Sequence, residues 1–165
     1  MIGLLTCLLV AATPAPPTEH RVAGLQFFAP VNADVTRHTL TKRADAVAIT
    51  RGAEVLVITV YGSKPPNIRR ALRTHLEELE RRLIKHAAAN SLQTRRARIK
   101  FMKRRVVGRT ITYRRSVESR VINMTASVVA RRVKGRTIVA TWTAPVVPGK
   151  TRFSPALVAG LSLAK

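Results

Sequence analysis

The sequence predicts an α+β fold in which an antiparallel sheet is covered by one long and one short helix. Three patterns lead to this prediction: β-branched runs with turn residues before residue 62, apolar residues three and four apart between residues 68 and 83, and apolar–polar alternation in segments between residues 97 and 144. With 165 residues, 46% of them hydrophobic, the chain can form one domain with a substantial core. We expect β-hairpins, the long helix, a four-stranded meander and the C-terminal helix, in that order.

The N-terminal segment has the pattern of an export signal. Residues 2–12 form a mostly apolar run of eleven, which is too short to span a bilayer and has the length of a signal-peptide core. The small residues at 10–12 predict cleavage after Ala12, with cleavage after Ala15 as the alternative. No Lys or Arg precedes the run, so a buried strand in a cytoplasmic protein is the other interpretation.

Removal of residues 1–12 would also remove Cys7, the only cysteine. The mature chain would then have no disulfide, no thiolate metal ligand and no transmembrane span. Residues 13–21 are rich in proline and predict an extended tether. Residues 22–165 are expected to form the single α+β domain.

The first half of this domain predicts strands and then the long helix. Residues 22–30 form one strand that ends at Pro30, and the β-branched runs 44–51 and 53–62 form a hairpin around Arg51-Gly52. Ser63 is the predicted cap of the helix, and Asn90 its predicted end. The buried face of the helix is expected to consist of Ile68, Leu72, Leu76, Leu79 and Leu83.

The second half predicts the meander and the closing helix. Four segments alternate between apolar residues and Thr or Arg, which predicts one apolar face and one solvated face. The C-terminal helix should begin with Ser154 as its cap and Pro155 in its first turn. The inward-pointing residues include Ile99, Phe101, Ile111, Tyr113, Met124, Ala126, Val128, Ile138, Ala140, Trp142 and Ala144.

A short sequence that occurs twice, here called the echo, contains several basic residues. RVVGRTI at residues 105–111 and RVKGRTI at residues 132–138 differ at a single position, and we interpret them as two similar glycine turns rather than a duplicated domain. The first and third turns of a meander lie at the same end of the sheet, so two basic tips should be neighbours. The predicted polyanion-binding residues are Arg98, Lys100, Arg104, Arg105, Arg109, Arg114, Arg131, Arg132, Lys134 and Arg136.

Five segments carry a family resemblance: GLQFFAP at 24–30, GAEVLVITVYG at 52–62, VVGRTI at 106–111, GRTIVATWTAP at 135–145, and Phe153 with residues 157–163. With this order of elements the chain resembles the PsbP-like and DcrB-like superfamily of α/β/α sandwiches over residues 24–163. The resemblance implies a small, often exported accessory or binding protein without catalytic residues. No functional residue of the family can be transferred position by position, and the basic charge departs from the family's pattern.

The charge of the chain indicates the kind of partner. Thirty Lys and Arg against eight acidic residues give a net charge of +22, which attracts polyanions over long distances. Arg outnumbers Lys by 22 to 8, and forked guanidinium groups suit bidentate contact with phosphate or carboxylate. High genomic GC content would also favour Arg over Lys, but it does not explain the shortage of acidic residues.

Catalytic chemistry finds little support in the residues. The carboxylates form no pair with an evident acid and base, and no Ser, His and Asp arrangement or glycine-rich phosphate loop is visible. His75 and His86 would lie about 16 Å apart along a helix, too far to share a metal, and are interpreted as histidines at the edge of the core. We therefore expect no enzymatic activity, no cofactor and no metal.

Two kinds of partner remain. An anionic component of the cell envelope fits the export signal and the charge together; it could be anionic lipid, lipopolysaccharide, acidic polysaccharide or an acidic protein, with peripheral membrane contact. The alternative is sequence-nonspecific nucleic-acid binding by a cytoplasmic protein. Aromatic residues are only 4% of the chain and those in strands fall on the apolar positions, which argues against stacking of single-stranded bases.

Overall fold

The structure, a computed structural model, describes residues 17–62, 64–149 and 152–164. The described residues form an α+β sandwich with two helices and antiparallel sheets, which confirms the predicted fold class. The predicted signal segment 1–12 and Cys7 lie outside the described residues. No helix among the described residues is both long and apolar enough to cross a membrane.

Two antiparallel sheets organise the strands. The larger sheet has seven strands in the order β3-β4-β5-β9-β8-β7-β6, and the smaller has three in the order β1-β2-β10. Because β9 pairs with β5, the edges of the large sheet are β3 and β6. The elements are β1 (Thr18–Val22), β2 (Leu25–Ala29), β3 (Asp34–Thr41), β4 (Ala44–Arg51), β5 (Glu54–Tyr61), α1 (Ile68–Ile84), β6 (Gln93–Phe101), β7 (Arg104–Val117), β8 (Arg120–Val133), β9 (Arg136–Pro145), α2 (Phe153–Gly160) and β10 (Ser162–Leu163).

Three strands differ from the sequence-based expectation, and one of them, β10, lies where only the C-terminal helix was expected. Residues 18–21, expected in the tether, belong to β1, whose Thr18 lies opposite Ala29 of β2. The strand β3 was not predicted because its side chains are mostly polar and exposed, as an edge strand allows. The hairpin of β4 and β5 and the meander of β6 to β9 follow the prediction.

Both faces of the large sheet are buried at its centre. One face, here called the α1 face, packs Ala126, Val128 and Val139 against α1. The other, called the α2 face, packs residues such as Val129 and Ile138 against α2 and the small sheet. The prediction of one solvated face is therefore wrong for the central strands, because a layer covers each side of them.

The start of α1 is set by Asn67, whose side-chain oxygen accepts a hydrogen bond from the backbone N–H of Arg70 at 2.8 Å. The predicted cap, Ser63, lies outside the described residues. Leu79 and Leu83 are buried as predicted, and Leu72 and Leu76 are partly buried. Ile68 is 40% exposed, so its predicted burial is wrong.

The helix ends six residues before the predicted stop at Asn90. Beyond Ile84 the chain turns toward the sheet, where the backbone N–H of Ala88 donates to the carbonyl of Arg114 at 2.7 Å. Ala87 also forms an isolated bridge with Arg115. The alanine-rich segment, which has good helix propensity, is held by these tertiary hydrogen bonds instead.

The N-terminus of α2 is capped from β5. The carboxylate of Glu54, which is 7% exposed, accepts from the backbone N–H of Phe153 at 3.2 Å and of Ser154 at 2.8 Å. The predicted cap Ser154 lies within the helix, and its buried hydroxyl has no partner among the described atoms. A buried carboxylate at a helix N-terminus also interacts favourably with the helix dipole.

We expect Glu54→Ala to lower the free energy of unfolding by about 2–3 kcal/mol, because two buried N–H groups lose a charged acceptor. Glu54→Gln keeps one acceptor oxygen and should cost about half as much. Denaturant unfolding measures both. The control is Glu77→Ala, which removes an exposed carboxylate 3.7 Å from Arg73 and should cost less than about 0.5 kcal/mol. Equal losses at residues 54 and 77 would contradict the capping role.

Candidate polyanion-binding surface

The hairpin of β6 and β7 arranges its basic residues in rows. Residues opposite each other across the ladder share a face, and so do residues two apart along a strand. The register places Arg96 opposite Arg109, and Lys100 opposite Arg105. Arg98 lies between these rows, opposite Val107. We call the five cations on this face the hairpin stripe: Arg96, Arg98, Lys100, Arg105 and Arg109.

The hairpin stripe is exposed and uncompensated. All five side chains are exposed, and none of them forms an ion pair within the described part of the chain. Like charges directly opposite each other destabilise a sheet, so the stripe carries an electrostatic cost in the free protein. Contact with an anion would relieve that cost.

The hairpin stripe lies on the α1 face, beyond the edge of the helix. The side chains of Ile111 and Tyr113, on the same face of β7 as Arg109, pack in the cluster beneath α1. Farther along the hairpin, toward residues 102–103, α1 no longer covers the sheet. The same face of one strand thus changes from core to basic surface.

The first and third turns of the meander, at residues 102–103 and 134–135, are joined by Arg131 of β8. Its guanidinium donates to the carbonyl of Met102 at 2.6 Å and to that of Phe101 at 3.4 Å. The two turns therefore lie at the same end of the sheet, as the meander geometry predicted. Arg131 is partly buried and positions the turn.

The first turn is also fixed to α2. The backbone N–H groups of Met102 and Lys103 donate to the carbonyls of Val158 and Ala159, at 3.0 and 2.9 Å. Both turn residues have positive φ angles, 49° and 65°, which cost conformational energy in non-glycine residues. Helix α2 and Arg131 together hold this turn, and with it the end of the hairpin stripe, in one position.

The two halves of the RVxGRTI echo have different structures. Gly135 lies in the third turn with φ 77°, whereas Gly108 lies inside β7 opposite Ala97. A Cβ at Gly108 would lie 2.6 Å from the carbonyl oxygen of Val128 and 2.7 Å from Cδ1 of Ile99. The prediction of two similar glycine turns is therefore wrong: one glycine allows a turn and the other allows close packing.

The ten predicted binding residues are only partly brought together. Arg98, Lys100, Arg105 and Arg109 belong to the hairpin stripe, and Arg132, Lys134 and Arg136 surround the third turn. Arg104 follows the first turn, and its pairing with Phe101 points it to the α2 face. Arg114 lies toward the second turn, opposite Asn123, and is separate from the others. Arg96 was missed, although it follows the same two-residue period as Arg98.

Of the two histidines that we expected at the edge of the core, His75 lies there and His86 does not. Nε2 of His75 and the hydroxyl of Tyr61 are 2.9 Å apart at the edge of the core, while His86 is exposed. Burial is the main cause that lowers the pKa of His75, and the positive charge of Arg82 adds to it. Among the described residues, no three His, Cys, Asp or Glu side chains converge as a metal site.

No protein-family model matches this chain, and no curated protein matches it. Among solved structures it is similar to LpqN, described as involved in cell envelope biogenesis of Mycobacterium tuberculosis, with a TM-score of 0.41 and 12% identity. The match covers 92% of this chain and 87% of that chain. A TM-score of this size does not establish a common fold, so the PsbP-like resemblance stays a prediction.

Because three atoms lie within 3.3 Å of the position that a Cβ at Gly108 would take, we expect Gly108→Ala to lower the free energy of unfolding by about 1–3 kcal/mol through overpacking. Gly135→Asn should be close to neutral, since a Cβ at Gly135 meets nothing within 4 Å and Asn tolerates the left-handed region. Thermal unfolding of the two variants tests the contrast. If Gly135→Asn were the more damaging change, the assignment of the two glycines would be reversed.

Proposed function

We propose that the protein is an exported, non-enzymatic binding protein that contacts a polyanionic component of the cell envelope. The observation that carries this proposal is the hairpin stripe, five exposed cations in register without an acidic partner in the described structure. Four of the five are Arg, whose forked donors suit phosphate and carboxylate oxygens. Arg132, on the same face as the hairpin stripe, and Lys134 at the third turn extend the contact surface, whereas Arg136 points to the α2 face.

The form of the surface favours a ligand with repeated charges. Cations two apart along β6 are separated by about 7 Å, and cations opposite each other by about 5 Å. This array is open and lies at the edge of the sheet, so it can contact several anionic groups at once. Anionic lipid headgroups, lipopolysaccharide, acidic polysaccharide or an acidic protein would each present such groups. At an anionic membrane, each cation near the surface contributes roughly 1 kcal/mol.

The proposed location follows from the N-terminal sequence. Residues 2–12 have the length and composition of a signal-peptide core, and residues 1–12 contain no charged side chain. Cleavage after Ala12 would leave the excess of 22 basic over acidic side chains intact. The exported chain would then meet the anionic groups of the envelope with its full basic charge.

Sequence-nonspecific binding of nucleic acid is the second candidate, because phosphate backbones also present repeated charges. Base stacking needs exposed rings, whereas Phe101, Tyr113 and Trp142 are at most 5% exposed. Phe28 is 58% exposed but lies in β2, outside the sheet that carries the hairpin stripe. Contact with nucleic acid would therefore be made through the backbone phosphates.

We expect the full chain to bind vesicles that contain phosphatidylglycerol and to ignore vesicles of phosphatidylcholine alone. Binding should fall steeply as salt is raised from 50 to 500 mM, roughly the range in which the Debye length shrinks to a few ångströms. Co-sedimentation measures both effects. Duplex and single-stranded DNA serve as competitors at equal phosphate concentration. If DNA displaced the protein efficiently from the vesicles, nucleic acid would be favoured as the ligand.

The stripe variant replaces Arg96, Arg98, Arg105 and Arg109 with Ser. We expect it to bind anionic vesicles about 1,000-fold more weakly, because each of the four lost cations removes roughly 1 kcal/mol. The matched control replaces four exposed cations toward the opposite end of the meander and removes the same charge: Lys85, Arg114, Arg115 and Arg120. Equal losses in the two variants would reject the hairpin stripe as the binding surface.

N-terminal sequencing of the native protein from fractionated cells tests the location. We expect the mature chain to begin at Thr13 and to be found outside the cytosol. An intact Met1 in the cytosolic fraction would contradict export and would favour nucleic acid as the ligand.

A further inference from the structure

A second surface lies on the α1 face, away from the hairpin stripe. The helix α1 packs mainly over β8 and β9, and on the same face of the sheet it leaves part of β3, β4 and β5 open beside it. Between the helix and these strands is a groove of about 440 Å³. Small-molecule sites have volumes of about 300–1,000 Å³ and apolar linings with a few placed polar groups.

The strand register explains why the groove exists. Ala48 lies opposite Val57, and Val57 lies opposite Thr141, so small side chains form a row across three strands. Ala46 lies in the next row, opposite Thr59. Larger side chains on β4 would fill this space, and the two alanines leave it open.

One wall of the groove is an exposed leucine at the sheet edge. The pairing of β3 with β4 shifts register between Thr39 and Thr41, and Leu40 falls within this irregularity. Leu40 lines the groove and is 54% exposed. Bulges commonly re-aim side chains near binding sites, and here the bulge adds apolar surface to the rim.

Polar groups are gathered on the helix side of the groove. The Tyr61 hydroxyl and His75 Nε2 are 2.9 Å apart, and burial raises the pKa of Tyr61 while it lowers that of His75. Glu78 accepts a hydrogen bond from Arg82 at 2.7 Å and is bonded to Arg81 as well. Clusters of titratable groups with shifted pKa values in a cleft are typical of functional sites.

The balance of charge indicates the occupant. The acidic side chain lining the groove, Glu78, is paired with both Arg81 and Arg82, so this cluster keeps one net positive charge. The protein as a whole carries a charge of +22. A ligand with an apolar body and a negative end would match both the alanine floor and the net positive charge of the cluster formed by Glu78, Arg81 and Arg82.

We propose that this groove binds a single-chain anionic amphiphile, with its alkyl chain along Ala46, Ala48 and Val57 and its head at Arg82, whose hydrogen bond to Glu78 uses Nε. The site shares no residue with the hairpin stripe and does not depend on the proposed contact with the envelope. It gives the protein a small-ligand activity beside its polyanion surface.

Calorimetric titration of the full chain with decanoate and with 1-decanol tests the proposal. We expect saturable one-to-one binding of decanoate and weaker binding of decanol. Ala48→Leu should weaken both by at least about tenfold, because the added methyl groups occupy the space of the alkyl chain. Arg82→Gln should weaken decanoate by about tenfold through loss of a charge-assisted hydrogen bond, and should leave decanol unchanged.

Two further variants test whether the ligands bind in the groove. Leu40→Gln changes an exposed side chain, does not threaten folding, and should also weaken both ligands if the groove is the site. Ala53→Leu, at the exposed turn between β4 and β5, is the size-matched control and should bind like the wild type. The stripe variant should retain decanoate binding, which separates failure of this site from failure of the polyanion surface.

Several results would overturn the proposal. They are the absence of saturable decanoate binding, wild-type affinity in a folded Ala48→Leu or Leu40→Gln variant, and an equal loss of decanoate and decanol in Arg82→Gln. Sedimentation of the free protein provides another test. If the free protein were a dimer and Leu40→Gln dissociated it, the groove would be the binding site for a second copy of the chain.

Discussion

The pairing of β5 with β9 is the contact on which the rest of the structure depends. It joins the early hairpins to the meander and places Ile58 opposite Ala140 and Val57 opposite Thr141, across about eighty residues of chain. One continuous sheet of seven strands results, and its central strands must be covered on both faces. Helix α1 covers one face, and α2 together with the small sheet covers the other, with Glu54 at the start of β5 fixing the first turn of α2.

The size of the sheet explains why two surfaces stay open beside α1. Seven strands spaced by about 4.8 Å span roughly 29 Å, whereas a helix is only about 10 Å wide and covers about two strands. Because α1 lies on β8 and β9, the same face is uncovered toward β3 on one side and toward β6 on the other. Arginine and lysine coat the open part at β6 and β7, while small apolar residues line the open part at β3 to β5.

Much of the fold was predictable because local patterns agree with tertiary packing. Alternation identified buried positions such as Ile111, Ile138 and Trp142, and the helical period identified Leu79 and Leu83. The errors lie where a distant contact overrides a local signal. The alanines after Ile84 bond to β7 instead of extending the helix, and β3 has too few apolar residues to predict a strand that only pairing with β4 creates.

From the sequence alone, one can derive the excess of basic charge, the α+β class and the two-residue period that places cations on a strand surface. Only the tertiary structure shows that Arg96 faces Arg109, that Arg131 joins two turns, and that Gly108 is required by packing. The physical reason is that charge and periodicity are properties of neighbouring residues. Cross-strand register and helix placement depend on contacts between residues far apart in the chain, which composition and spacing do not encode.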